Sequence, residues 1–366
     1  MKLRKKILAM LLVLCMVVPL FGLSALAVDK MTNDPGSTKQ WGMKAVGMDE
    51  AWGMGPTGKG VKVGIIDSGL STATGDIAKS RVEAGPNYTG SIGDSATDIE
   101  GHGTFVAGII GAAKDNRVGI AGVAPECDFY IVKALSDMAQ AVYDCVDAGC
   151  QVINMSMGTP SDRKANLKEA VEAAAAAGVI VVASVGNEGD SSTPAQYNYP
   201  AAYDSVIGVG GVDQNLNVSV FSNKNDSVFV VAPAEKVASL SLLPGVVTTM
   251  DGTSFSTPYV AGLAALLKQM NPDMDIAEFK EILIATSREL AGEDYAGYGL
   301  LQIPDALRYA AEKWGYTLND TTAPTEPDQP DNPGTGWNIF DLSWIRDLFQ
   351  SIIRNLFKGW NPSFSL

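Results

Sequence analysis

A serine, a histidine and an aspartate, each in a short glycine-containing run, have the residue types needed for nucleophilic catalysis. Ser254 lies in the run Gly252-Thr-Ser-Phe-Ser-Thr-Pro, and His102 is the single histidine of the chain. A serine nucleophile needs a base with a near-neutral pKa, and His102 is the one imidazole available to it. Asp67 could hold that imidazole in one tautomer and stabilise its protonated form. Together the three side chains predict attack of a serine oxygen on a carbonyl carbon.

The segment after Ser254 is predicted to be a core helix whose amino end faces the reacting carbonyl. Pro258 suits a first helical turn, and Gly262, Ala264 and Ala265 keep the helix slim enough to be buried on every side. Free N–H groups and the helix dipole at this end favour negative charge on a bound carbonyl oxygen. Taken alone, a serine in this run is more often only an N-cap.

Short apolar runs alternate with helical patterns along the chain, and Asp67 ends the first of these runs. Runs that are apolar on both faces are typical of a parallel sheet covered by helices. The alternation predicts a doubly wound α/β fold with a mostly parallel sheet, in which sites lie at the carboxyl ends of strands. The predicted strands lie in 58–67, 129–134, 152–155, 179–184, 205–210 and 227–232, and the predicted helices in 104–113, 139–149 and 163–178.

Four sequence blocks resemble the signature blocks of the subtilisin-like serine peptidases. The blocks are Ile65-Ile-Asp67-Ser-Gly, Gly101-His102-Gly-Thr, Ala183-Ser-Val-Gly-Asn187-Glu-Gly and Gly252-Thr-Ser254-Phe-Ser-Thr-Pro. They occur in the order Asp, His, Ser that this family uses, and the resemblance extends from about residue 33 to about residue 309. It implies that Asp67, His102 and Ser254 are the catalytic triad. It also implies that Asn187 is the side-chain donor of the oxyanion hole, beside the N–H of Ser254.

The same resemblance implies where a peptide substrate would bind. One wall of the first specificity pocket would be Met155-Ser156-Met157-Gly158, which would also pair with the substrate backbone. The opposite wall would be Ala183 to Gly186, including Ser184, with Asn198 and Glu188 near the base and rim. The mixed polar and apolar lining names no preferred residue.

A structural Ca²⁺ site is a further implication of the resemblance. Asp76 would supply a carboxylate, Asn116 a side-chain oxygen, and Asp34 a further carboxylate. Hard oxygen ligands with few charges suit Ca²⁺. Backbone carbonyls would come from Lys114, Val118 and Ile120. Without the resemblance, residues 113–125 read simply as a polar turn.

Four features depart from the family's pattern. Phe105 and Tyr259 stand where a noncatalytic histidine is usual, and Phe255 replaces the methionine that is common after the nucleophile, which predicts lower sensitivity to oxidation. Only 18 residues separate Lys133 from Val152, so we expect the edge strand on the far side of the cleft to be missing and the subsite there to be open. No room remains between the predicted signal and the mature domain for an inhibitory propeptide.

The chain ends carry three further predictions. Residues 1–27 have basic residues, an apolar run and a small-x-small cleavage site, which predicts a secretory signal, with an uncleaved anchor as the alternative. Residues 28–315 are the predicted peptidase domain and 316–337 a proline-rich linker. Residues 338–366 are predicted to form an amphipathic helix that either docks on its own domain or self-associates, or lies on a membrane or cell-envelope surface.

Charge and cysteine content restrict the partners and the covalent links. Four of the 27 Lys and Arg residues but none of the 41 Asp and Glu residues lie in 1–27, so the remaining chain has a formal charge of −18. This acidity argues against nucleic acid as a partner. Cys127, Cys145 and Cys150 remain after the signal; we expect small buried residues, with a Cys127–Cys150 bridge as the minor alternative.

Together the residues and the resemblance predict a secreted or surface-associated serine endopeptidase that acts on a protein or peptide. A narrow processing peptidase for one precursor is the first alternative, favoured by the shortened cleft edge and the missing propeptide. An inactive scaffold on a peptidase fold is the second, and its signature would be a broken triad.

Overall fold

A seven-stranded parallel sheet forms the centre of the molecule in the computed structural model, which describes residues 32–91, 93–134, 137–160, 165–189 and 196–319. The strands lie in the order β2-β3-β1-β4-β5-β6-β7. They are β1 (Lys62–Asp67), β2 (Val82–Asn87), β3 (Asp128–Lys133), β4 (Val152–Met155), β5 (Ile180–Ser184), β6 (Val206–Val212) and β7 (Val230–Pro233). Because the chain crosses from the β3 side of β1 to the β4 side, the order reverses at β1, and the predicted doubly wound α/β fold is confirmed.

Helices cover both faces of this sheet. They are α1 (Trp41–Ala45), α2 (Met48–Ala51), α3 (His102–Gly111), α4 (Met138–Asp147), α5 (Ala165–Ala176), α6 (Thr257–Met270), α7 (Ile276–Thr286) and α8 (Ile303–Trp314). Val63 and Ile65 of β1 belong to the hydrophobic cluster that contains α3 and α6, whereas Ile66 belongs to the cluster that contains α4 and α5. This two-sided burial explains why the central strands are continuous apolar runs.

The helix α6 is buried along nearly its whole length, as predicted. Every residue of α6 except Gln269 is buried, and Pro258 lies in its first turn. A Cβ atom on Gly262 would come within 2.5 Å of the Val123 side chain, so the glycine allows a close approach. Ser254 itself lies just before α6, in a 3₁₀ turn at residues 253–255.

Several elements differ from the sequence-based expectations. Strand β2 and the antiparallel hairpin of β8 (Val237–Leu240) and β9 (Val247–Met250) were not predicted, and neither were α7 and α8. The sixth predicted strand begins at Val230 rather than at 227. The alternative of a Cys127–Cys150 bridge is wrong, because all three cysteines of the described residues are free and buried. The neighbour of Cys150 is Cys145, whose carbonyl accepts the Cys150 N–H at 3.0 Å.

The described residues belong to one compact unit that ends at Thr321. The predicted signal, most of the linker, and the amphipathic helix lie outside the described residues. Among the residues that are described, no helix has both the length and the apolar character needed to cross a membrane.

Candidate active site

Asp67 and His102 meet because β1 ends where α3 begins. Asp67 is the last residue of β1 and is 1% exposed, while His102 is the first residue of α3 and follows Gly101, whose φ is +91°. The Nδ1 atom of His102 lies 2.8 Å and 3.1 Å from the two carboxylate oxygens of Asp67. The N–H of Ser68 donates to Asp67 Oδ1 at 2.7 Å, so this carboxylate is fixed on two sides. The pair leaves His102 Nε2 as the ring atom that can exchange a proton with a substrate.

The environment of His102 makes its imidazole more basic. Burial lowers its pKa, but the charge and hydrogen bond of Asp67 and the charges of Asp98 and Glu100 raise it, and the net pKa lies above the ordinary value of 6.5. The ring also packs on Phe255, with 5.3 Å between ring centroids. About a third of the His102 side chain is exposed (35%), which leaves it accessible from the cleft.

Ser254 is placed by a turn that only glycine can begin. Gly252 has φ 146° and ψ 152°, a backbone conformation essentially restricted to glycine, and the 3₁₀ turn Thr253–Phe255 follows it. The Ser254 hydroxyl donates to the carbonyl of Ser156 at 3.0 Å, and the Ser156 hydroxyl donates to the carbonyl of Ser254 at 2.7 Å. In this rotamer the Ser254 hydroxyl is bonded to Ser156 and not to His102. Attack on a substrate would require a rotation about χ1 that turns Oγ toward the imidazole.

Thr253, which was not predicted to have a role, orients the Asn187 side chain. The Asn187 Oδ1 atom accepts from the Thr253 N–H at 2.9 Å and lies 2.9 Å from the Thr253 hydroxyl. Because its oxygen is held in this way, Asn187 directs its amide nitrogen toward the turn that carries Ser254; a Cβ on Gly252 would lie 3.6 Å from that nitrogen. The signal in the sequence was a hydroxyl residue directly before the candidate nucleophile.

The two predicted pocket walls lie side by side. Strands β4 and β5 pair in parallel, with Met155 opposite Ala183, so residues 156–158 and residues 185–186 leave the same edge of the sheet, just after Met155 and Ser184. Ser156, Ser184 and Gly186 are buried, Met157 is half-buried and Gly158 is exposed.

Asn198 lies between these walls. Its Nδ2 atom donates to the Ser184 carbonyl at 3.4 Å, and a Cβ on Gly158 would come within 2.4 Å of the same nitrogen. On the other wall, Glu188 accepts from Asn223 at 3.0 Å. The polar side chain of Asn198 therefore limits the space between the walls.

The connection between β3 and α4, where the resemblance places the far edge of the cleft, is short. Strand β3 ends at Lys133 and α4 begins at Met138, so only residues 134–137 connect them. Of these, 134 and 137 are described and neither belongs to a strand.

The predicted calcium ligands also come together, although not all in ligand orientation. Asp34 accepts backbone N–H groups from Asp115 at 2.8 Å, Asn116 at 2.9 Å and Arg117 at 3.0 Å. Asp76 accepts from the N–H of Ile120 at 2.8 Å. Asn116 directs its amide nitrogen to Asp76 at 2.8 Å and accepts from Val118 N–H with its oxygen, so a ligand role would need the amide turned over.

The electrostatics of this loop suit a cation. Asp34 and Asp76 are 0% and 1% exposed. Burial, with a contribution from the nearby Asp34 charge, raises the pKa of Asp76 to about 6, although hydrogen bonds from Ile120 and Asn116 lower it. In the described part of the chain no hydrogen bond reaches the carbonyl oxygens of Lys114, Val118 and Ile120. Those residues also contain no cluster of three or more His, Cys, Asp or Glu side chains suited to a metal, so any site here depends largely on carbonyl oxygens.

Comparisons with known proteins identify relatives over most of the chain. The model of the subtilase family (peptidase S8) matches residues 58–302. Subtilisin DY from Bacillus licheniformis is 38% identical over 280 residues, which cover 74% of this chain and 99% of that protein. The major intracellular serine protease of Bacillus subtilis is 37% identical over 294 residues, covering 74% of this chain and 91% of that one. A solved protease structure from Pseudoalteromonas arctica matches with a TM-score of 0.66 at 25% identity, covering 76% of this chain and 99% of that one.

Proposed function

The chain belongs to the subtilase family and is a serine endopeptidase of that family, and from this premise we propose that Asp67, His102 and Ser254 carry out its reaction. The observation that supports this assignment best is the 2.8 Å contact between His102 Nδ1 and buried Asp67. That contact fixes the tautomer, because a proton on Nδ1 leaves Nε2 free to act as a base. The substrates are proteins or peptides, as for any enzyme that hydrolyses peptide bonds.

The reaction begins when the Ser254 hydroxyl turns from the Ser156 carbonyl toward His102. Its oxygen attacks the peptide carbonyl carbon while Nε2 takes the hydroxyl proton. Asp67 stabilises the imidazolium without taking its proton. The carbonyl oxygen becomes an anion, which accepts from the Asn187 amide and from the Ser254 N–H. Thr253 supports this step because it holds the Asn187 oxygen and so directs the NH₂ group at the anion.

Collapse of this intermediate breaks the peptide bond. The leaving nitrogen takes the proton from His102 Nε2 and departs as an amine, and an ester remains on Ser254. A water molecule then gives a proton to Nε2 and attacks the ester carbonyl. The Ser254 oxygen regains the proton as the acid product leaves.

Substrate would bind against the wall formed by Ser156, Met157 and Gly158. Ser184 and Gly186 would form the other wall, and Asn198 would limit its depth. The short connection between β3 and α4 supports an open subsite on the opposite side of the cleft. The same connection favours the narrower alternative, a processing peptidase that gains specificity elsewhere on its substrate.

We also propose that the loop around Asp76 binds Ca²⁺. Asp76 and the carbonyls of Lys114, Val118 and Ile120, which accept no hydrogen bond from the described residues, fit a hard cation, and Asn116 would join them after its amide turns over. Asp34, whose oxygens accept three backbone N–H groups, would hold the loop and neutralise part of the added charge. A bound cation would keep Asp76 ionised, and the reaction itself does not pass through it.

Export is proposed from residues 1–27 alone. One relative is named as intracellular, so membership of the family does not decide the compartment. The surface contact proposed for 338–366 is tested by cell fractionation: a chain ending at Tyr316 should leave the envelope fraction if the helix is the anchor, and identical fractionation would contradict this.

Labelling with a fluorophosphonate probe tests the triad. With Ca²⁺ present, the exported protein should form one adduct that peptide mapping places on Ser254, and Ser254→Ala should form none. Absence of an adduct in a protein whose circular dichroism shows a folded domain would contradict the proposal and favour the scaffold alternative.

A further inference from the structure

A second buried carboxylate, Asp98, lies beside the Asp67–His102 pair and is saturated with hydrogen bonds. It is 6% exposed and belongs to the loop that leads into α3. Burial alone would raise its pKa, but hydrogen bonds from Thr104, Gly101 and Glu100 lower it overall, so the group is ionised at neutral pH. Its donors are Ser68 Oγ at 3.1 Å, Glu100 N at 3.0 Å, Gly101 N at 2.9 Å, Thr104 N at 2.9 Å and Thr104 Oγ1 at 2.6 Å.

These bonds connect Asp98 to both members of the pair. The Ser68 hydroxyl donates to Asp98 and accepts the Gly103 N–H at 2.9 Å. Ser68 directly follows Asp67, and Gly103 directly follows His102, so one hydroxyl links the two backbones at the point where the side chains meet. Asp98 also accepts three backbone N–H groups from 100–104, the first turn of α3 and the residues before it. The direction in which α3 presents His102 therefore depends on this carboxylate.

The loop that carries Asp98 is itself fixed to the sheet. Lys133, the last residue of β3 and 2% exposed, donates from Nζ to the Thr97 carbonyl at 2.8 Å. The Ser95 hydroxyl donates to the Gly85 carbonyl at 2.8 Å, and the Leu70 N–H donates to the Ser95 carbonyl at 3.2 Å. Because these hydrogen bonds fix the loop to the sheet, the Asp98 carboxylate keeps a defined position relative to β1 and α3.

We propose that Asp98 is a positioning residue of the peptidase reaction, which holds Ser68 and the amino end of α3 so that His102 faces Ser254, and whose charge stabilises the protonated imidazole. The inference rests on the proposed function of His102. Asp98 acts through Ser68, Gly103 and the helix, and touches neither the substrate nor the nucleophile.

The role proposed for Asp98 has two parts, positioning of α3 and stabilisation of the imidazolium by charge. The acids around His102 allow these two parts to be tested separately. Asp67 faces the ring from β1, Asp98 and Glu100 act from the loop before α3, and the neutral ring of Phe255 packs on it from the turn before α6. All three acids raise the pKa of His102. Glu100 is exposed, and its carboxylate makes no hydrogen bond to α3 in the described residues, so it supplies charge without positioning.

The single histidine allows a direct test. In protein labelled with ¹⁵N-histidine, the NMR signals come from His102 alone, so its pH titration can be measured without overlap. The titration is compared between the wild type, Asp98→Asn and the control Glu100→Gln. Asp98→Asn should move the titration midpoint to lower pH and should slow fluorophosphonate labelling at the pH plateau by about 10- to 100-fold, because a misoriented base loses that much. Glu100→Gln should move the midpoint in the same direction and leave the plateau rate unchanged. An unchanged plateau rate in folded Asp98→Asn, with or without a shift of the midpoint, would overturn the inference.

A second variant keeps the test decisive if Asp98→Asn does not fold. Ser68→Ala retains the Asp98 charge and removes the hydroxyl link, so it should slow labelling while the His102 midpoint stays in place. Full labelling rates in folded Ser68→Ala would contradict the positioning role. If the wild type forms no Ser254 adduct, the proposed function fails, but the His102 titration still reports whether Asp98 acts on the imidazole.

Discussion

Replacing Asp76 by asparagine should stabilise the calcium-free protein at neutral pH and remove its response to Ca²⁺. Asp76 is 1% exposed and lies near a second buried carboxylate, Asp34. Without a cation, the charge of Arg81 lowers the pKa of Asp76, but by less than burial raises it. Asparagine removes the cost of burying the Asp76 charge. It also removes the negative charge that would bind a cation.

The size of the effect follows from the pKa of Asp76. That pKa is about 6 in the folded protein against an ordinary value of 3.8, and the difference of about 2 pH units corresponds to about 3 kcal/mol. Between pH 4 and pH 6 the folded state binds more protons than the unfolded state, so the stability of the calcium-free protein falls as pH rises through this window. The Asp76 carboxylate accepts hydrogen bonds from Asn116 and Ile120, whereas an asparagine side chain has only one oxygen to accept them. The loss of one hydrogen bond costs about 1 kcal/mol. The expected net gain at pH 7 is about 2 kcal/mol.

Urea unfolding of a chain that also carries Ser254→Ala measures this, because the inactive background cannot digest itself. With EDTA, Asp76→Asn should unfold at higher urea than its parent at pH 7, and this advantage should be lost at pH 4, where the carboxyl of the folded parent is protonated. With excess CaCl₂ the parent should gain stability, by about 2.7 kcal/mol at 100 times its Kd, and the variant should gain little. Asp94→Asn, on an exposed loop, is the control. If Asp76→Asn is destabilised equally in EDTA and in CaCl₂, or if the parent does not respond to Ca²⁺, the reasoning is wrong.

Three further outcomes can be measured on the active enzyme. Asn187→Ala should lower the turnover of a peptide substrate by about 10²–10³ with little change in KM, the loss known for the equivalent donor in subtilisin, the namesake of the family; an unchanged kcat in steady-state kinetics would exclude Asn187 from the oxyanion hole. Hydrolysis should decline as pH falls through a midpoint above 6.5, because His102 must be neutral to accept the Ser254 proton and its pKa is raised; a midpoint below 6.5 in the kcat/KM profile would show that burial outweighs the three acids. Hydrogen peroxide should inactivate Phe255→Met faster than the wild type, since only the variant has an oxidisable sulfur directly after Ser254; equal rates of loss in both would place the sensitive residue elsewhere.

Local patterns in the sequence were enough for the fold class and for the identity of the candidate catalytic residues. The central strands are buried on both faces, so their apolar runs are visible without any knowledge of their neighbours. His102 needed no structure to be singled out, because the chain has no other imidazole. Strand β2 gave no such signal, since it is a partly exposed edge strand that contains Pro86, and its place depends on backbone pairing with β3. The β9 strand is likewise mostly half-buried or exposed and is held by β8.

The arrangement of the side chains around those residues was decided only by the tertiary structure. The sequence could not show that Ser254 bonds to Ser156, that Thr253 orients Asn187, or that Asn116 turns its amide nitrogen to Asp76. The partners in these contacts are separated by 98, 66 and 40 residues. Rotamer and amide orientation are set by whichever donor or acceptor lies opposite, and that depends on how the sheet brings distant segments together. The sequence by itself therefore determined which atoms could react, while their directions, and the role of Asp98 in setting them, came from the fold.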